Sequence, residues 1–217
     1  MNKKIDLNDA VALVKDGMTV MVGGFLGVGA ATEILSALAQ TKVRNLTLIC
    51  NDTAFPDKAQ GLLVVGGQVS NLIVTHIGTN PVTGEKMNTG EIKIEFAPQG
   101  TLAERIRAAG AGLGGVLTKT GLGTSVADGK QTITVDGVEY LLEKPLHADL
   151  ALLGASLADE SGNLIYRGTA QNFNPLMATA ADVVIVEAQQ VVPCGQLAPE
   201  AIHTPGIFVD YIYSKTK

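Results

Sequence analysis

Tryptophan is absent from this sequence, and aromatic residues make up only 4% of it. Platforms that stack unpaired bases need several such rings, so a single-strand nucleic-acid binder is disfavoured. An excess of positive charge is also missing. Sixteen Lys and Arg stand against 21 Asp and Glu, for a net charge of −5, where a nucleic-acid-binding surface calls for a basic face. No apolar run approaches the ~18 residues of a membrane-spanning helix. Lys3 and Lys4 imitate the start of a signal peptide, but Asp6 and Asp9 interrupt any apolar stretch behind them. Cysteine is scarce: Cys50 closes an apolar run and Cys194 lies in a loop-like stretch. Two cysteines so placed form neither a disulfide framework nor a zinc pattern, and both read as reduced thiols in a cytoplasmic protein. His76, His147 and His203 are far apart, with no paired-ligand spacing. They read as structural, and no metal is expected. A Gly-x-Ser-x-Gly nucleophile elbow does not occur.

Glycine, by contrast, is plentiful, with 25 among 217 residues against a usual share of about 7%. Hydrophobic residues make up 46%, which argues against disorder over most of the chain. A chain of this length buries roughly 70% of its unfolded surface and needs no disulfide or metal to hold it. Length alone allows one or two domains. With no repeat, low-complexity linker or charge block, the reading is a single α/β domain over residues 1–217.

Asn8 and Asp9 precede an apolar pattern at Val11, Leu13 and Val14, with Gly17 as a stop, which predicts a short capped helix. Residues 18–22 and 46–50 are uncharged, β-prone runs of the kind buried on both faces of a parallel sheet. Between them lie a glycine loop, Gly23 to Gly29, and a helix marked by Ile34, Leu35 and Leu38, with Thr32 as its expected N-cap. Strand, loop, helix, strand implies parallel pairing through a right-handed crossover. Further strands are predicted at 72–75, 92–96, 150–153 and 183–186, and helices at 101–109 and 175–181. Asp128-Gly129 and Asp136-Gly137 bracket and join two β-prone runs, 132–135 and 138–142, which is antiparallel hairpin chemistry. The expected fold is an open, largely parallel twisted sheet flanked by helices, with a small antiparallel hairpin insertion.

A strand running into glycines and then into a helix makes an anion site. Backbone N–H groups point outward at the helix start, and glycine permits close approach. One specific reading is a dinucleotide loop: Gly27-Val28-Gly29-Ala30-Ala31-Thr32 gives G-x-G-x-x-T, and Asp52 ends the next strand. Another is a set of tight turns with no ligand.

A third reading comes from resemblance. Asp16-Gly17-Met18-Thr19-Val20-Met21-Val22-Gly23-Gly24-Phe25-Leu26-Gly27-Val28-Gly29 resembles the α-subunit signature of the 3-oxoacid (family I) CoA-transferases. The family usually has Pro where this chain has Ala31. Asn51-Asp52-Thr53, His76 to Pro81, Pro98 to Leu102 with Glu104 to Arg107, Gly112 to Gly115 with Thr118 to Gly121, and Asn172-Phe173-Asn174-Pro175 also recur in that family. The resemblance covers nearly the whole chain. It looks nearest to the α subunits of bacterial acetate/butyrate–acetoacetate CoA-transferases.

The resemblance implies ping-pong transfer of coenzyme A between short-chain acids through a glutamyl-CoA thioester. In that family the nucleophilic Glu lies in a β subunit, so an α₂β₂ or larger assembly is expected, with coenzyme A as substrate and no permanent cofactor. Glu160, in the turn sequence Asp159-Glu160-Ser161-Gly162-Asn163, is a poor counterpart. Glu104, beside Arg105 and Arg107, reads as solvated or ion-paired. By resemblance, Gly23, Gly24, Phe25, Leu26, Gly27, Val28 and Gly29 form a CoA-binding loop. Gln99 is the candidate for steadying the attacking carboxylate or an oxyanion, its competing role being a helix N-cap. Asn51 and Gly112–Gly115 are candidates for lining the same cleft. The remaining alternatives are a dinucleotide-binding oxidoreductase domain and a non-catalytic acyl-CoA-binding protein.

Overall fold

The computed structural model describes residues 3–215. Six α-helices lie in it: α1 (Leu7–Ala12), α2 (Thr32–Leu38), α3 (Gly61–Val65), α4 (Pro81–Asn88), α5 (Gln99–Gly110) and α6 (Asn174–Met177). Four of its strands alternate with the early helices: β1 (Thr19–Val22), β2 (Leu46–Cys50), β3 (Val69–Val74) and β4 (Lys93–Phe96). An insertion follows, with β5 (Val116–Thr118), β6 (Thr132–Val135) and β7 (Val138–Glu143). The chain then returns through β8 (Ala148–Ala155), β9 (Leu157–Asp159), β10 (Leu164–Ile165), β11 (Ala181–Ala188), β12 (Val191–Val192) and β13 (Tyr211–Tyr213).

Seven strands form one parallel sheet in the order β13-β11-β8-β1-β2-β3-β4. Alternation of side chains explains why its central strands are apolar throughout. Val20 and Val22 enter the core on one face while Met21 enters the other; Leu46, Leu48 and Cys50 share the first face and Ile49 the second; Leu150 and Leu152 oppose Ala151 and Leu153. Both faces are covered by helices, so neither can be polar. β1 sits where the strand order reverses, with β2 to β4 on one side and β8, β11 and β13 on the other. In open α/β sheets that reversal leaves a crevice at the carboxyl ends of the strands, and the glycine loop leaves β1 there.

The hairpin insertion is present as β6 and β7, joined by Asp136 (φ 50°) and Gly137 (φ 76°), and β5 adds a third antiparallel strand. A salt-bridge cluster ties the insertion to the main body. Buried Glu143 accepts from Lys130 Nζ at 2.6 Å and lies 3.8 Å from Arg105 Nε, and Arg105 also pairs with Glu95.

Several local expectations need correction. α1 starts at Leu7 after Asp6, not after Asn8 or Asp9, and ends five residues before Gly17. Thr32 is the first residue of α2 rather than its N-cap, which is Ala31. Helix α5 begins at Gln99, two residues earlier than predicted. α6 stops at Met177, because Ala181 is already committed to β11 and pairs with Ala148. The small sheet β10-β9-β12 and the helices α3 and α4 were not predicted.

Candidate active site

Residues after β1 close a tight turn. Phe25 and Val28 exchange backbone hydrogen bonds at 3.0 and 2.9 Å, and Leu26 (φ 48°) and Gly27 (φ 82°) supply the two left-handed positions. Most of the loop's N–H groups are consumed internally. Gly23 donates to Leu152 O at 3.0 Å, Gly24 to Asn172 Oδ1 at 3.0 Å, Leu26 to Asp52 Oδ2 at 3.0 Å and Ala30 to Gly27 O at 3.3 Å. Among the described residues, only the N–H groups of Gly27 and Gly29 within residues 23–29 find no acceptor.

The anion seat expected at the start of α2 is filled by the protein itself. Glu187, at the end of β11, accepts from Glu33 N and Ile34 N at 2.9 and 3.0 Å and from the Thr32 hydroxyl at 3.3 Å. This carboxylate does for α2 what a bound phosphate would do. Burial raises its pKa above the ordinary carboxylate range; the bonds from Ile34, Glu33 and Thr32 oppose that rise, and the Glu33 charge adds to it. A folded value above the unfolded one of about 4.3 means the group's contribution to stability is complete below that pH and is lost as pH rises through the folded value. Glu187→Gln keeps an acceptor and removes the titration. We expect its stability relative to wild type to improve as pH rises above about 4, read from urea midpoints of both proteins. A pH-independent difference would contradict this.

Three consecutive strand ends then place five polar side chains together. Asn51 and Asp52 follow β2, Thr75 and His76 follow β3, and Gln99 follows β4. Gln99 is exposed, and its Nε2 donates to Asn51 Oδ1 at 2.7 Å. Its amide is therefore turned toward the end of β2 rather than capping α5, whose N-cap is Pro98. Asn51 Nδ2 donates to Asp52 Oδ2 at 2.8 Å, the same oxygen that receives Leu26 N. A continuous chain of hydrogen bonds thus links Gln99 to the glycine loop. Asp52 Oδ1 accepts from Ala54 N at 2.7 Å and Gln60 Nε2 at 3.4 Å. Fully buried and bonded through both oxygens, Asp52 has nothing left for a ribose hydroxyl, and Glu187 occupies the place of a pyrophosphate. The dinucleotide reading has no physical support here.

Asn172 and Asn174 lock the loop from behind, a role that sequence reading did not assign. Asn172 Nδ2 donates to Val28 O at 3.0 Å; Asn174, fully buried, donates to Gly29 O at 2.9 Å and Ala170 O at 2.8 Å. A Cβ on Gly23 would come within 1.8 Å of Asn174 Oδ1. The run of two Asn spaced around Phe173 was the only available signal, and its partners lie some 145 positions away.

Gly112–Gly115 lie elsewhere. They follow the C-terminal end of α5, a helix of 12 residues that rises about 18 Å from Gln99. Glu160 is exposed in a turn in which Asp159 Oδ1 receives the N–H groups of Ser161 and Asn163, both at 2.9 Å. Glu104 pairs with Arg107 on the surface at 3.1 Å. The Cys50 thiol is buried and held protonated, by desolvation first and then by Asp52, while Cys194 is exposed. His147 lies 3.7 Å from Asp182, and His203 accepts from Tyr166 N at 3.0 Å. Among the described residues, no group of three or more His, Cys, Asp or Glu gathers as a metal site, and no helix is long and apolar enough to cross a membrane.

Comparison with known proteins decides the family. The Coenzyme A transferase family profile matches residues 4–215. The chain belongs to the coenzyme A transferase family. Its relatives there include the acetate CoA-transferase subunit alpha of Escherichia coli strain K12, 53% identical over 97% of this chain and 96% of that one. The acetoacetyl-CoA:acetate/butyrate CoA transferase alpha subunit of Clostridium acetobutylicum strain ATCC 824 is 51% identical over 98% of each. Among solved structures, the apoenzyme of an acyl-CoA transferase from Escherichia coli O157:H7 superposes with a TM-score of 0.84 at 25% identity. That match covers 99% of this chain and 47% of the other. The family member described here thus spans about half of that longer polypeptide and nearly the full length of the named alpha subunits.

Proposed function

We propose that this chain is the alpha subunit of a heteromeric CoA-transferase, acting as one folded unit. It moves coenzyme A between a short-chain acyl-CoA and acetate or acetoacetate, with butyrate among the candidate acids. Similarity to two curated alpha subunits along essentially the whole chain carries this reading. Coenzyme A is a substrate in it, with no permanently bound cofactor. We assign the protein to the cytoplasm, where an exposed thiol such as Cys194 stays reduced.

In the proposed reaction, a glutamate of the partner beta subunit attacks the thioester carbonyl. Coenzyme A leaves as thiolate, and an acyl-glutamyl anhydride forms. The thiolate attacks the glutamyl carbonyl, releasing the first acid and leaving a glutamyl-CoA thioester; the second acid reverses both steps. This chain's own glutamates support a nucleophile from outside. Glu187 is spent on α2, Glu95 on Arg105, and Glu160 sits in an exposed turn. Gln99 still has one free amide hydrogen after bonding Asn51, and it can donate to the attacking carboxylate or to the oxyanion. The loop 23–29 contributes the free amides of Gly27 and Gly29 and the half-exposed Phe25 and Val28 as a cradle for the pantetheine portion. Phe25, Phe55 and Phe96, each 38 to 43% exposed, lie just after β1, just after β2 and at the end of β4. Half-exposed rings at the strand ends suit a protein partner, and the assembly we propose is α₂β₂ or larger.

Two results test the proposal. Co-purification from the native host should bring down one companion, identified by mass, and the pair should exchange coenzyme A between acetoacetyl-CoA and acetate with parallel double-reciprocal plots. Absence of exchange by the complex would refute it. Within the complex, Gln99→Ala should lower kcat by roughly ten- to a thousandfold, the scale of losing one oriented donor. An unchanged rate would leave Gln99 with only its bond to Asn51.

A further inference from the structure

His76 is the one group of the strand-end cluster left without a task, and its surroundings define what it offers a ligand. It follows β3, its backbone is bridged to Asp52, and it is half-buried. The Thr75 hydroxyl lies 2.7 Å from Asn51 O, 3.3 Å from Asn51 Oδ1 and 3.0 Å from His76 Nδ1. A hydroxyl carries one proton, and the shortest of these contacts, to a carbonyl oxygen, takes it. The bond to His76 is then made by Nδ1–H donating to the hydroxyl oxygen. That fixes the tautomer, and in the neutral ring Nε2 is left as a bare acceptor. Among the described residues, Nε2 has no partner. The Phe25 ring of the glycine loop stands beside it, centroids 6.2 Å apart and tilted by 46°.

Resting on the CoA-transferase reading above, we propose that His76 Nε2 accepts a hydrogen bond from an N–H or O–H of the pantetheine arm of coenzyme A. An unprotonated ring nitrogen beside the Phe25 ring repels a carboxylate, so the small acid is the wrong partner for it. The arm has the right chemistry: two amide N–H groups, one hydroxyl, and a dimethyl carbon suited to the face of Phe25. His76 is in this sense a binding residue for one of the two substrates and not for the other.

The test uses the reconstituted complex and follows both substrates separately. His76→Ala should raise KM for the acyl-CoA about three- to tenfold, the scale of one neutral hydrogen bond. KM for the acid and the saturated kcat should stay within about twofold. His76→Gln, whose amide oxygen reaches the Nε2 position, should restore the acyl-CoA KM; His76→Asn, whose amide reaches only Nδ1, should not. The same ratio should appear with acyl-pantetheine, which has the arm without the nucleotide phosphates. A change confined to the acid KM, a loss of kcat alone, or an effect absent with acyl-pantetheine overturns the assignment while leaving the CoA-transferase reading intact. A wild-type complex that moves no coenzyme A overturns both.

Discussion

Assayed without a partner, the purified chain should exchange coenzyme A between acyl-CoA and acetate no faster than buffer does. Addition of its companion should restore turnover, saturating at a fixed subunit ratio. The expectation follows from where this chain spends its acids. A nucleophilic carboxylate must be exposed, unpaired and close to the thioester carbonyl. The glutamate at the end of β11 is hydrogen-bonded to two backbone N–H groups of α2. The aspartate at the end of β2 is buried and receives four donors. What this chain presents at the open edge is an amide, an imidazole, two free backbone N–H groups and several half-exposed aromatic rings. Those groups can bind and orient, but none can form the anhydride. Mass analysis after incubation of the complex with acyl-CoA makes the test specific: the coenzyme A adduct should lie on the companion. An adduct on this chain, or ordinary turnover by the chain alone, would show that the nucleophile is here.

Legibility in the sequence followed the range of the interactions. The strands at 46–50 and near 18–22 could be read because residues buried on both faces must be apolar without interruption, and the one near 92–96 because Ile92, Ile94 and Phe96 alternate with Lys93 and Glu95; both signatures are purely local. The Asp136-Gly137 turn was equally plain, since both of its residues need positive φ. α4 carried a signal that went unread: Asn80 at the N-cap followed by Pro81 at the first helical position. α3 carried almost none, being a five-residue helix entered from Gln60 with no side-chain cap. The site shows the same division. Gln99 and Asn51 were legible as polar residues at strand ends. The seating of Glu187 on α2, and of Asn172 and Asn174 behind the loop, depends on pairs some 145 to 155 residues apart, which no local pattern encodes. The seat at the start of α2 is taken for the same reason, because its anion comes from the far end of the chain.

Gly24→Val should lose coenzyme A transfer, and the cause lies in the loop's own backbone. Close approach of a ligand to the loop backbone is not the main constraint at this position. Gly24 has φ +118°, a conformation L side chains rarely adopt, and a Cβ there would lie 3.0 Å from Ala30 Cβ and 3.1 Å from Ala30 N. A branched side chain cannot be accommodated unless the backbone turns, and residues 24 to 30 close on themselves, so the turn moves the whole loop. The bonds from Gly24 N to Asn172 and from Leu26 N to Asp52 then stretch or break, and Asp52 releases its hold on Asn51 and through it on Gln99. Backbone strain of this kind costs about 1–3 kcal/mol, which the two cores above and below the sheet can absorb because, of residues 24 to 30, only Ala30 at the margin belongs to either. The variant should therefore fold, unfold cooperatively at a somewhat lower temperature, still capture its companion, and transfer coenzyme A at background rate. Circular dichroism, a thermal melt, co-purification and the exchange assay on one preparation separate these outcomes. Full activity in the folded variant would detach the loop from the chemistry, and failure to fold would mean that the loop's hydrogen bonds to Asn172 and Asp52 hold the two halves of the sheet together as well as the site.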